Sequence, residues 1–132
     1  LDNTKILYEA SSSALLPIII NPRLVGVDTT SEQRKLDKGS IYVYDVREDK
    51  NYKIENKSPK NLHWFPESNH LIYIADQKID IMEFDGSNNT TIYAGPFVDN
   101  FVFPWPDGSK VIILTNLGNP NITPNLYTIV LK

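Results

Sequence analysis

The feature that most constrains this chain is a repeat with a spacing of forty residues. Pro66 recurs as Pro106, Glu67 as Asp107, and Leu71-Ile72 as Val111-Ile112. Ile41-Tyr-Val-Tyr-Asp45 recurs as Ile81-Met-Glu-Phe-Asp85, and Tyr52 as Ile92. Three different parts of one unit keep the same period, which chance rarely produces. The clearest copy is Asn100-Phe-Val-Phe-Pro-Trp-Pro-Asp-Gly-Ser-Lys-Val-Ile-Ile-Leu114, a short apolar strand, a Pro-Asp-Gly-Ser turn and a second, more apolar strand. Asn61 to Ile74 repeats it, and Leu1 to Tyr8 carries the end of a third copy.

Runs rich in β-branched and aromatic residues, bounded by turn residues, predict ten strands. They span 5–10, 39–45, 51–55, 62–65, 71–75, 78–84, 90–94, 101–103, 110–116 and 126–131. No segment keeps a 3.6-residue period, so the chain reads as all-β. Asp85-Gly86-Ser87-Asn88 and Asp107-Gly108 mark turns, with Gly supplying the positive φ that a tight hairpin needs. Glu67-Ser68-Asn69 is a degenerate version of the same turn. Asn51-Tyr-Lys-Ile-Glu55 alternates polar with apolar and is expected to face solvent.

A period of ~40 residues with four strands, A to D, is the signature of a propeller blade. Leu71-Ile-Tyr-Ile74 and Val111-Ile-Ile-Leu114 fit an inner strand covered on both faces. The strands then sort into B, C and D of one antiparallel blade, all four of a second, and A to C of a third. The blades span 1–55, about 56–95, and 96–132, as one domain. That is about two and a half blades of a β-propeller, an incomplete ring, since closure needs at least ~4. Lys132 is expected to be a natural end and Leu1 a cut. Further blades come from upstream sequence or from a second copy, and an open ring exposes apolar flanks that invite aggregation.

The aromatic-x-Pro-Asp-Gly-x-x-apolar-apolar pattern, followed by apolar-Tyr-x-aromatic-Asp, resembles the TolB-like, WD-like β-propeller repeat. Trp105-Pro-Asp-Gly-Ser-Lys110 matches best, and Trp64-Phe-Pro-Glu-Ser68 is a drifted copy that has lost the Gly. The resemblance covers most of the chain outside residues 11–38 and extends to the propellers of prolyl-oligopeptidase-type enzymes. It implies a non-catalytic scaffold that binds a protein or ligand, as part of a larger exported bacterial protein in the periplasm or on the cell surface. Bacterial surface proteins that join β-sandwich modules to a propeller look similar. Two alternatives stay open: the substrate-gating propeller of a serine peptidase whose catalytic domain lies elsewhere, and a carbohydrate-active propeller.

Composition narrows the chemistry. The 132 residues carry a net charge of -3 with scattered basic groups, so no footprint for nucleic acid is present. There is no cysteine, which excludes a disulfide framework and thiolate metal or redox chemistry. The longest apolar run, Ala14 to Ile20, is broken by Pro17 and is far short of the ~20 residues of a membrane span. His63 and His70 lack zinc-ligand spacing, no G-x-S-x-G turn exists for a nucleophile, and no cofactor or metal is called for. Asp45, Asp85 and Asp107 recur with the repeat and are read as strand-ending turn residues. The aromatic residues Trp64, Phe65, Phe101, Phe103 and Trp105 are expected to pack between blades. Asn56, Asn88, Asn89 and Asn121 sit in glycosylation-type triplets that reflect turn composition.

What the repeat does not absorb is residues 11–38. A segment this long between strands is usually functional or disordered. It is read as a loop with one helical turn over Thr30 to Leu36, where Thr30-Ser31-Glu32-Gln33 could cap. Its apolar residues Leu15, Leu16, Ile18, Ile19, Ile20 and Leu24 either fold back on a blade or form a contact patch with Arg23. The candidate partner-contact residues are Leu16, Ile18, Ile20, Arg23 and Leu24.

Overall fold

A computed structural model of the chain describes residues 3–24, 30–54 and 59–131. All regular structure in these residues is β. The first strands are β1 (Lys5–Glu9), β2 (Ala14–Leu15), β3 (Lys35–Leu36), β4 (Ile41–Asp45) and β5 (Lys50–Lys53). β6 (Lys60–Trp64), β7 (His70–Ala75), β8 (Lys78–Glu83) and β9 (Thr90–Tyr93) follow, then β10 (Val102–Pro104), β11 (Lys110–Thr115) and β12 (Asn125–Val130). They pair into antiparallel sheets of order β1-β4-β5, β6-β7-β8-β9 and β10-β11-β12, with β2 and β3 forming a separate ribbon. The ten expected strands are all present and fall into sheets of three, four and three. No described helix is long and apolar enough to cross a membrane.

The chain divides into two compact units. The N-terminal unit holds β1 to β5 together with Phe84–Ser87, and the C-terminal unit holds β6 to β12. In the C-terminal unit the two sheets share a core of Phe65, Ile72, Ile74, Ile79, Val102, Val111 and Ile113. Ile72 and Val111 have no exposed surface. Burying such a side chain is worth about 1.5–3 kcal/mol. β7 is buried along Leu71 to Ile74, so both of its faces are covered, as its unbroken apolar run requires.

The repeat is visible in the backbone. Phe65 N–H donates to the His70 carbonyl at 2.9 Å and Ser68 N–H to the Phe65 carbonyl at 3.0 Å. Forty residues on, Trp105 N–H donates to the Lys110 carbonyl and Gly108 N–H to the Trp105 carbonyl, both at 2.8 Å. The turn residues share a left-handed conformation, φ 67° at Ser68 and 72° at Gly108. Ser68 thus holds a geometry that glycine adopts without strain. The recurring aspartates also act alike. Asp45 Oδ1 accepts from the Arg47 and Glu48 amides, Asp85 Oδ1 from the Ser87 amide, and Asp107 Oδ1 from the Ser109 amide.

Three expectations need correction. No helical turn forms over the described residues of Thr30 to Leu36; Lys35–Leu36 instead pairs with Ala14–Leu15. β5 does not face solvent: Asn51 and Tyr52 are 0% and 1% exposed. Gln33 N–H donates to the Asn51 carbonyl, so the loop lies along the strand, and Tyr52 meets the Phe84 ring edge-on. Of the five aromatics, only Phe65 is in the buried core; Phe101, Phe103 and Trp105 are exposed. Lys110 lies over the Trp105 ring, 4.6 Å from its centroid, which gives that ring a cation as partner. The proposed cut at Leu1, the end at Lys132, Asn56 and loop residues 25–29 lie outside the described residues.

Candidate functional site

The long connection between β1 and β4 is held by a polar hub in the N-terminal unit. Asp49 ends the turn after β4 with φ 53°, and it is 1% exposed. Its Oδ2 accepts from the backbone amides of Ile19 at 2.8 Å and Ile20 at 2.9 Å, and from Arg23 Nη1 at 3.3 Å. Its Oδ1 accepts from the Tyr44 hydroxyl at 2.6 Å and Arg34 Nη1 at 3.0 Å. The Asp49 carbonyl accepts from Arg23 and Arg34 as well. Glu32 bridges the same two guanidinium groups, so two acids and two arginines cancel within the cluster. Arg34 also donates to the Pro17 carbonyl at 2.7 Å.

The electrostatics follow from this geometry. Burial alone pushes the Asp49 carboxyl up, but donation from Tyr44, Ile20, Ile19 and Arg34 outweighs it and holds the group well below the usual carboxylate range. Burial, and then the same carboxylate, push the Tyr44 hydroxyl up. Burial disfavours the Arg34 charge, yet Asp49 and Glu32 outweigh it and raise Arg34 further.

A second polar contact ties the far end of the loop. The Tyr8 hydroxyl donates to Asn51 Oδ1 at 2.8 Å, and Asn51 Nδ2 donates to the Gln33 carbonyl at 2.6 Å. Asn51 is fully buried, so both ends of its amide are satisfied, as burial demands. Near the strand ends, Ala10 N–H donates to the Ser40 carbonyl at 2.9 Å, and Ala10, Leu36 and Tyr42 form a small core with Leu16 packed against it.

The five residues expected at a contact site are therefore divided. Ile18 and Leu24 project outward, 58% and 50% exposed. Leu16 and Ile20 are half-buried, and Arg23 is committed to Asp49 and Glu32. Leu15 and Ile19 are more exposed than any of them, at 74% and 72%. Beside them, Ile6, Tyr8, Leu16, Pro17, Ile19 and Tyr44 line an apolar groove of about 260 Å³. The backbone of the loop folds back onto Asp49, and much of its apolar surface stays exposed.

Sequence reading passed over Asp49, Arg34, Glu32 and Asn51. The one signal available was Arg23, the single charged residue of the stretch 11–27, since a cation in an apolar segment implies an acidic partner elsewhere. The histidines make local contacts: His70 Nδ1 lies 2.6 Å from Glu67 Oε1, and His63 Nδ1 lies 2.6 Å from the Asn61 carbonyl. Among the described residues no cluster of three or more His, Cys, Asp or Glu could hold a metal ion. No protein-family model, curated protein or solved structure matches the chain.

Proposed function

We propose that this chain is part of a β-propeller that serves as a non-catalytic scaffold, binding an apolar segment of a protein or peptide partner on the loop between β1 and β4. The forty-residue repeat and the grouping of strands into sheets of three, four and three support the propeller. Three sheets fall short of the ~4 blades of a closed ring, so the scaffold takes further blades from the same polypeptide or a second copy. The observation that carries the binding role is the contrast inside the loop. Its backbone is fixed by a buried carboxylate, while Leu15, Ile18, Ile19 and Leu24 remain in solvent. Holding apolar groups outward on a fixed backbone lowers the ordering cost of binding. The groove beside Ile19 has only tyrosine hydroxyls as side-chain polar groups, so it suits an aliphatic or aromatic anchor.

Selection of a displayed random peptide library against the whole chain tests this. Enrichment of peptides with an aromatic or aliphatic anchor, lost in an Ile19→Asp variant, is expected. Selection that returns no common apolar anchor, or peptides that bind Ile19→Asp equally well, would refute it.

A further inference from the structure

The C-terminal unit carries a separate concavity of about 910 Å³, near the upper end of the size range of small-molecule sites, roughly 300–1,000 Å³. Its floor is Ile74 and Ala75 at the end of β7, and one wall is the two-residue turn Asp76-Gln77 between β7 and β8. The opposite wall is the connection from β9 to β10, with Phe97 half-buried among Ala94, Gly95 and Pro96.

That wall is tied in place. The Thr115 hydroxyl donates to the Pro96 carbonyl at 2.6 Å, and Val98 N–H donates to the Leu114 carbonyl at 2.8 Å. The Tyr93 ring lies 6.3 Å from that of Phe97, and the Tyr93 hydroxyl reaches the Pro96 carbonyl at 3.2 Å. The hollow therefore stands on strands of both sheets of the unit.

Its polar lining is of mixed character. Lys60 and Lys78 supply donors, Asp76 and Asp99 supply acceptors, and Gln77 and Asn100 supply both. Among the described residues, the two lysines and two aspartates form no ion pair with one another. This contrasts with the hub around Asp49, where every charge is consumed internally. With two lysines and two aspartates, the lining offers no net attraction to a ligand charge of either sign. A neutral molecule with many hydroxyls uses all of them, since each hydroxyl both donates and accepts. Its C–H face can rest on Phe97 and Pro96.

We infer that this concavity binds a neutral saccharide, an activity separate from peptide capture on the long loop. Titration calorimetry of the whole chain with cellotetraose, maltotetraose and chitotetraose tests it. At least one binds, and its affinity changes less than about twofold when salt is raised about tenfold, because the ligand carries no charge to screen. Lys60→Ala and Asp99→Asn each weaken binding about tenfold, as loss of a hydrogen bond to a charged group does. Asn tolerates the positive φ of residue 99, so that variant keeps its backbone. The double variant Leu15→Ser, Ile19→Ser leaves saccharide affinity unchanged, which keeps this site distinct from the loop. The inference is overturned if none of the three sugars binds, if binding survives both Lys60→Ala and Asp99→Asn, or if the dipeptide Ala-Phe binds in a salt-dependent way and the sugars do not.

Discussion

At the same step of the repeat the two units do different things. Between β7 and β8 the chain turns in two residues, Asp76 and Gln77, with φ of 47° and 59°, and Ala75 pairs directly with Lys78. Local backbone geometry is enough to hold such a turn. Between β1 and β4 the chain leaves at Ala10 and returns at Ser40. No local rule fixes a segment of that length, so a tertiary device does. The device sits at Asp49 and Asn51, both buried. Forty residues later the corresponding positions are Asn89 and Thr91, both exposed, in a unit with no long loop to hold. At these two repeat positions the buried anchor occurs in the copy that carries the long loop.

The sharpest way to break this contrast is at its centre. Asp49→Ala leaves Arg23 and Arg34 without their buried partner and is expected to destabilise the N-terminal unit by about 3–5 kcal/mol in urea unfolding. Asn89→Ala, at the matching position, should stay within about 0.5 kcal/mol of the parent. Acid probes the same carboxylate. Its pKa is depressed on folding, so its contribution is complete above the unfolded value of about 4 and is lost as pH falls through the lower folded value. The Ile19 and Ile20 amide resonances should hold as pH falls through the usual carboxylate range near about 4 and shift only well below it, and this late response should be missing in Asp49→Ala.

Smaller effects belong to the turns. Gly108→Ala places a Cβ 3.1 Å from Phe65 at φ +72° and should cost about 1–2 kcal/mol by thermal unfolding. Gln77→Gly relieves a left-handed residue and should stabilise the C-terminal unit by about 0.5 kcal/mol. Leu15→Ser combined with Ile19→Ser should change stability least, within about 0.5 kcal/mol, because both side chains already face water.

The strands were legible because β-branched runs and turn residues are local signals, and Leu71 to Ile74 announced its two-sided burial without any partner being known. The hairpin turn was legible even where Ser68 replaces Gly, because the flanking strands preserved its register. Burial of β5 was hidden: Asn51 to Glu55 alternates in sequence like a solvent-facing strand, and it is the loop lying along β5 that makes Asn51 an interior residue. Thr30 to Gln33 has the composition of a helix cap, but Gln33 and Arg34 spend their backbone groups on Asn51 and Leu16. The apolar content of the loop was plain. Which of its residues face water depends on a carboxylate about thirty positions away, and no local pattern encodes that.

The hub also decides how the loop meets a protease. Trypsin must draw an arginine side chain into its own pocket before it can cut. Arg23 and Arg34 are held by Asp49 and Glu32, so cleavage there requires the hub to open first. Lys38 is exposed and carries no such requirement. The ratio of cutting after Arg34 to cutting after Lys38 thus reads the opening equilibrium of one carboxylate, residue by residue, in a native chain.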